Sequence, residues 1–233
     1  MMQALRLKLY QETACYKKPF AFKVSETYPL PPYATVKGML HAVLGAKKLI
    51  PMKISIQGKY DTIVSDYQTH YFFKNKKTNE FALILDGLGS KRTFEHITTM
   101  PIYMHMLYDV ELLIHVQAEE DVLHELEQRI KSSNTHLSLG RWEDLVRVDE
   151  CMLVTTQDYD GDEDPTLSFN AFVPERFIED SSNYIYDLNW TYRIVKGVRV
   201  WDKIRAGYVQ IGEPIADGGE LTVDQYGDLI FFP

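Results

Sequence analysis

The chain holds only two cysteines, Cys15 and Cys151, far apart and in no ligand-spaced cluster. That leaves no disulfide framework and no cysteine-based zinc site, and it fits a reducing cytoplasm. The seven histidines, at 41, 70, 96, 105, 115, 124 and 136, show no His-Glu-x-x-His or other metal spacing, so neither metal nor cofactor is expected. Long apolar runs are missing too. No stretch reaches the length of a membrane span, and the first thirty residues lack a signal-peptide core, because Leu5, Leu7 and Leu9 alternate with Arg6 and Lys8. There is no nucleophile elbow, paired-carboxylate signature or dinucleotide fingerprint. Gly87-Leu88-Gly89-Ser90-Lys91 lacks the ending of a phosphate loop. The acidic loop 158–164 has Glu163 where a calcium loop needs glycine and Phe169 where it needs Glu, and reads as a solvated turn.

What is present is a core. With 233 residues and 45% apolar composition, the chain suits one large domain or a core domain with an appendage. Its net charge of -8 is uneven: residues 1–110 hold 15 Lys and Arg against 8 Asp and Glu, residues 111–233 hold 10 against 25. The halves are therefore +7 and -15. This asymmetry predicts a basic binding face in the first half and a solvated or protein-facing second half.

Residues 4–11 alternate and predict a strand with Leu5, Leu7 and Leu9 inward. Val36, Met39, Leu40, Val43 and Leu44 follow helical spacing, with Gly45 as terminator. A strand is expected over 52–57. Residues 63–74 and 81–85 predict a hairpin with its turn at 75–80, and 86–90 a further turn, so that 60–108 forms an extended insertion. A strand over 110–116, a helix over 119–131 that opens acidic and closes basic, a loop over 136–141 and a strand over 145–154 complete the set. Past the insertion the order is strand, helix, strand, strand, helix, strand, which predicts an α+β fold of ferredoxin-like or RRM-like topology. On this reading residues 1–155 form that domain. Residues 156–233 form a β-rich C-terminal region, with β segments at 192–201, 206–211 and 228–232.

Residues 27–41 join a proline-rich approach to a helix start. Pro29, Pro31 and Pro32 hold the chain extended, and Thr35 reads as the N-cap. The first amides, with Lys37 in the first turn and side-chain-free Gly38 beside it, then form an end suited to phosphate. An ordinary capped helix has the same signature. His41, one turn after Lys37, falls on the same side, as a phosphate contact or as a base on a ribose hydroxyl. The preceding loop, 15–28, is basic and aromatic: Tyr16, Phe22, Tyr28 and, further on, Tyr33 offer rings, and Lys17, Lys18 and Lys23 offer charge. Single-stranded RNA is held this way, each stacked base being worth ~1–3 kcal/mol. Phe20 and Phe22 serve equally as cover for the core. Lys91, Arg92 and Arg141 complete the candidate RNA-binding set.

Arg6 to Tyr10, the loop Ala14-Cys15-Tyr16-Lys17-Lys18-Pro19-Phe20, Tyr28-Pro29-Leu30-Pro31-Pro32 followed by Thr35-Val36-Lys37-Gly38-Met39, and Ser55-Ile56-Gln57-Gly58-Lys59-Tyr60 together resemble the Cas five (Cas5) family. These are CRISPR-associated RAMP-superfamily subunits of type I Cascade complexes, and the type I-B branch is the most similar. The resemblance is strongest over roughly the first sixty residues, continues more loosely through Arg141 and is weak in the C-terminal part. It implies a non-catalytic subunit that caps one end of the surveillance complex in antiviral defence by gripping the 5′ handle of the CRISPR RNA (crRNA). It further implies an RRM-like domain whose long β-hairpin thumb, here the insertion, packs against the backbone subunit. The large subunit that reads the PAM docks close by, and target DNA comes near only through the complex. The glycine-rich loop common after the second helix is reduced here to Ser138-Leu139-Gly140-Arg141. In one branch the equivalent subunit cleaves precursor RNA. The alternative is therefore a metal-independent endoribonuclease using His41 or His96 with a nearby Tyr or Lys. A third reading is a protein-interaction subunit without RNA contact.

Overall fold

Alternation in the first strand, β1 (Met2–Ala14), sends Leu5, Leu7 and Leu9 to one face of a sheet and Ala4 and Arg6 to the other, and all five side chains are buried. The computed structural model describes residues 2–21, 23–74, 96–161, 165–178, 184–213, 215 and 221–233. After β1 come β2 (Val24–Ser25), α1 (Tyr33–Leu44), β3 (Lys53–Lys59), β4 (Thr62–Lys74), β5 (His96–Gln117) and α2 (Glu120–Lys131). Then follow β6 (Leu137–Ser138), β7 (Leu145–Asp158), β8 (Asn170–Pro174), β9 (Tyr184–Val195), β10 (Val198–Val209), β11 (Thr222–Asp224) and β12 (Leu229–Ile230).

The main sheet runs in the order β12-β11-β7-β1-β5-β3-β8-β10-β9. Its centre, β7-β1-β5-β3, is antiparallel throughout. Both helices cover one face: Val36 and Leu40 of α1 and Leu123 and Leu126 of α2 share a core with Leu5, Leu7, Ile54, Ile56 and Ile114. Each such fully buried aliphatic side chain contributes about 1.5–3 kcal/mol. The strands after residue 155 extend this same sheet at both edges, β8-β10-β9 beyond β3 and β11-β12 beyond β7.

The opposite face is covered by the C-terminal segment. Leu229 and Phe231 belong to a second core with Val173, Val209 and Val223. The Phe231 N–H donates to Ser55 Oγ at 3.0 Å, and Gln57 Nε2 donates to the Leu229 carbonyl.

One expectation is corrected and two are refined. The helix begins at Tyr33, not after Thr35: Pro32 is the N-cap, with no side-chain cap bond, and Thr35 donates its N–H to the Pro32 carbonyl at 2.8 Å. Proline fixes the φ that starts the helix, and a fully buried Tyr33 anchors its first turn in the core. Second, residues 63–74 pair with the N-terminal half of β5, from Ile63 opposite Leu107 to Lys74 opposite His96. That half of β5 sends Ile102 and Met104 into a small core with Cys15, so Pro101 does not end the strand. The turns expected at 75–80 and 86–90, and the strand at 81–85, lie outside the described residues. Third, the β-rich stretch 192–201 divides between two strands. It spans the end of β9, a two-residue turn with positive φ at Lys196 (50°) and Gly197 (76°), and the start of β10. Gly45 does close α1 as expected, in the left-handed conformation. Among the described residues, no helix is long and apolar enough to cross a membrane.

Candidate functional site

Hairpin β9–β10 carries the only dense cationic run of the acidic half: Arg193, Lys196, Arg199, Lys203 and Arg205 against Asp187 and Asp202. The fold returns this hairpin to the first half, laying it beside α1. Alternation puts Tyr186 and Leu188 on the face toward the helix, and Trp190, at a bulge opposite Asp202 and Lys203, joins them in the helix-side core, while Tyr192 follows beyond the bulge. Tyr33 of α1 meets the Trp190 ring edge-on, centroids 5.3 Å apart, and donates its hydroxyl to the Phe172 carbonyl at 3.3 Å.

One turn after Tyr33, Lys37 therefore falls on the inward edge of the helix. Its side chain is 5% exposed, and Nζ sits 3.0 Å from the centroid of the Trp190 ring and donates to the Trp190 carbonyl at 3.4 Å. Burial without a carboxylate beside it pushes the Lys37 ammonium down to about 8. The cation expected to project past the helix start is instead folded over an indole.

Lys37 floors an open cleft of about 230 Å³. One wall is α1, with Gly38 and His41; a second is the loop carrying Lys47 and Lys48; the third is the hairpin, with Tyr192, Arg199 and Trp201. His41 builds the second wall. Its Nε2 accepts the Ile50 N–H at 2.9 Å, which leaves Nδ1 to donate to the Lys37 carbonyl at 2.7 Å. A backbone amide can only donate and a carbonyl can only accept, so the ring is the neutral Nδ1–H tautomer and both nitrogens are engaged. On the third wall the Tyr192 and Trp201 rings meet edge-on at 5.5 Å, and the Arg199 guanidinium lies 4.2 Å from the Tyr192 ring centre.

The other candidate residues divide. At the far end of β9, Tyr28 packs edge-on against Tyr186 at 5.5 Å, and Lys18 pairs with Glu26 at 3.3 Å while lying 6.0 Å over the same Tyr186 ring. From Tyr186 to Tyr192 the strand covers ~20 Å at ~3.3 Å per residue. Lys17 is exposed and bridges Thr27 through its backbone. Lys23, also exposed, contacts a different strand: its carbonyl accepts the Tyr103 N–H of β5 at 2.9 Å.

Tyr16 offers no ring to a base. It is buried, its N–H donates to Thr27 Oγ1 at 2.9 Å, and its hydroxyl donates to Gln11 at 2.6 Å. Tyr33 is likewise enclosed in the core. Burial holds both phenols well above their ordinary range. Arg141 is committed to its own loop, 2.7 Å from Asp144 and 2.6 Å from Glu143. Thr35 is half-buried in the first turn and Gly38 is exposed in the cleft. Phe22, Lys91 and Arg92 lie outside the described residues, as does the side chain of His96. Among the described residues no group of His, Cys, Asp and Glu is arranged to hold a metal.

The cleft residues Trp190, Tyr192, Arg199 and Trp201 were not legible as a site, since they stand more than 150 positions from Lys37 in the acidic half. The nearest signal was the local reversal of charge in 193–205.

A mostly antiparallel sheet with two helices on one face is a fold found in CRISPR-associated proteins. The family described as CRISPR-associated protein (Cas_Cas5) matches residues 4–201, and the chain belongs to that family. Among solved structures, the fold is similar to a chain of a "CRISPR RNA-guided surveillance complex" at 15% identity, with a TM-score of 0.54 and 91% of each chain covered. It is also similar to a CRISPR protein from Archaeoglobus fulgidus at 11% identity, with a TM-score of 0.50 and 98% of each chain covered. At such identities the likeness is one of fold. No curated protein matches the chain in sequence.

Proposed function

We propose that this protein is a non-catalytic RNA-binding subunit of a type I CRISPR Cascade surveillance complex, holding the 5′ handle of crRNA and capping the complex in cytoplasmic antiviral defence. One observation carries the reading: cations from both halves, Lys18 and Lys37 from the first and Arg199 from the second, lie over the rings of Tyr186, Trp190 and Tyr192 along β9, the last two at one cleft. Cations for the backbone and flat rings for the bases are what a single strand requires. Family membership and the fold likeness to a chain of an RNA-guided complex support it.

The central order β7-β1-β5-β3, antiparallel with both helices on one face, supports a ferredoxin-like, RRM-like frame. In an RRM the open face of the sheet takes the RNA; here that face is filled by residues 221–233, which favours the helix-side edge instead. The β4–β5 hairpin exposes Ile63, Tyr67, Tyr71 and Tyr103, in keeping with a thumb that meets a backbone subunit. The large subunit and target DNA then approach only within the assembly.

Changing Lys17, Lys18 and Lys37 together to alanine tests the reading. Handle affinity should fall across sequences, and the salt dependence should flatten by about 0.7 per lost contact. Unchanged affinity removes the surface. Incubating the protein with labelled repeat RNA in EDTA tests the nuclease alternative, for which discrete products would speak. Against it stands His41, whose two nitrogens are both held by backbone partners.

A further inference from the structure

We propose that the cleft between α1 and the β9–β10 hairpin receives one unpaired nucleotide, its phosphate on Lys37 and its base against the Tyr192 and Trp201 rings. This rests on the RNA-binding reading and assigns to it a pocket built largely by the acidic half of the chain.

The Lys37 ammonium is the first argument. It has three N–H donors, and the only hydrogen bond among the described residues is the long one to the Trp190 carbonyl. Among the described residues no carboxylate lies within ion-pair distance of it. A buried cation without a counter-ion is costly, and the indole face beneath it offsets only part of that cost. A bound phosphate would supply both the missing charge and the missing acceptors. Lys47 and Lys48, exposed and without an ion pair among the described residues, extend the positive field to the cleft mouth.

The rings are the second argument. Tyr192 and Trp201 are cross-strand partners, so their side chains share one face of the hairpin. Arg199 stacks on the Tyr192 ring and lies 5.5 Å from the Trp201 ring centre, and among the described residues no carboxylate engages its guanidinium. Its donors are therefore free for the edge of a base. The third argument is size: about 230 Å³ is less than the ~300–1,000 Å³ of drug-sized pockets and suits a single nucleotide.

Gly38 keeps the cleft open. A Cβ built there meets nothing within 4 Å, so glycine is not demanded by packing. A larger side chain at this helical position would project into the cleft without disturbing the core.

The experiment titrates 5′-mononucleotides and, separately, inorganic phosphate into the protein while following tryptophan fluorescence. In parallel, anisotropy of fluorescein-labelled oligo(A) and oligo(U) RNA reads strand binding. Wild type is compared with Gly38→Leu, which fills the cleft, and Trp201→Ala, which removes a ring. Thermal melts establish that both variants fold. We expect mononucleotides to quench the wild type, phosphate alone to bind more weakly, and both variants to lose about 10-fold or more in mononucleotide and RNA affinity, the scale of one lost base stack. RNA binding that survives unchanged in Gly38→Leu overturns the pocket and leaves the broader reading standing. No RNA binding by the wild type overturns the broader reading itself, and phosphate binding as tight as nucleotide overturns the role of the rings.

Discussion

Arg6 and Asp224, 218 positions apart, meet at 2.8 Å with both side chains buried. The same guanidinium bonds Glu150 and Asp228, and Asp224 accepts a further contact from His115 Nε2 at 3.1 Å. Arg6 lies on the sheet face opposite the helices and Asp224 begins the turn from β11 to β12. The pair therefore fixes the C-terminal segment over the face that an open RRM-like sheet would expose. The proposed route of RNA along the helix-side edge depends on this lock.

Removing Asp224 leaves Arg6 to Glu150 and Asp228 but strips His115 Nε2 and the Tyr226 and Asp228 N–H groups of their acceptor. Asp224→Ala should cost about 1–3 kcal/mol, read from urea denaturation at neutral pH. Burial alone would push the Asp224 carboxyl up, but hydrogen bonds from His115 and from the Asp228 and Tyr226 N–H groups prevail and hold it at about 2, below its ordinary 3.8. Between those values the unfolded chain binds more protons than the folded one, so stability rises with pH across the window and is lost as pH falls through about 2. Asp224→Asn should lack this dependence. An acid transition identical in the two proteins would contradict the assignment.

Lys37 should show the opposite balance of stability and function. At neutral pH its ammonium is charged in both folded and unfolded chains, and only the folded one suffers desolvation. Lys37→Met should accordingly raise stability by about 1–3 kcal/mol while weakening RNA binding. In the wild type, stability should rise as pH passes from about 8 toward the ordinary 10.5, because the unfolded chain then holds the extra proton. A bound phosphate favours the charged amine, so RNA affinity should decline as pH climbs through 8. Urea midpoints at pH 7 and 10, with anisotropy at pH 7 and 9, measure both. A destabilised Met variant together with pH-independent binding would refute the account.

His41 is expected to act as a tether. His41→Ala leaves the Ile50 N–H without its acceptor, while the Lys37 carbonyl keeps its helical bond, a loss of about 1–3 kcal/mol in the loop bearing Lys47 and Lys48. Amide hydrogen exchange should speed up at Ile50, and RNA affinity should fall only a few-fold. Abolition of an RNA-cleaving activity, with exchange at Ile50 unchanged, would make it a catalytic base instead.

What the sequence disclosed, and what it hid, follows from how far each determinant reaches. Leu5, Leu7 and Leu9 alternate within one strand, and Leu123, Leu126 and Ile130 recur within one helix, so both elements were legible locally. Gly45 was legible because a single residue closes α1. Thr35 misled because its side chain is a better cap than proline's, whereas burial of Tyr33 against Trp190 decided where the helix starts. That choice also rotated Lys37 inward. The partner of β4 was hidden by the long insertion between the strands. The cleft itself joins Lys37 to Trp201 across the whole sheet, which no local pattern encodes. Lys196-Gly197 between Ile194-Val195 and Val198 is the two-residue turn signal that divides the β-rich stretch 192–201.

Two glycines should respond in opposite ways to one added methyl group. Gly140 has a φ of +112°, and a Cβ there would lie 2.7 Å from Asp144 Oδ2 and 3.1 Å from the Cys15 carbonyl. Asp144 cannot yield cheaply: its carboxylate accepts the Cys15 N–H at 3.0 Å and the Arg141 N–H at 2.8 Å, latching the loop after α2 to the segment after β1. Gly140→Ala should destabilise by about 2–4 kcal/mol, combining backbone strain with lost hydrogen bonds. Gly38 is helical with open space around it, so Gly38→Ala should be neutral or stabilising by up to ~1 kcal/mol. Thermal melts of the two variants side by side decide the matter, and equal effects would show that the Asp144 latch does not constrain position 140.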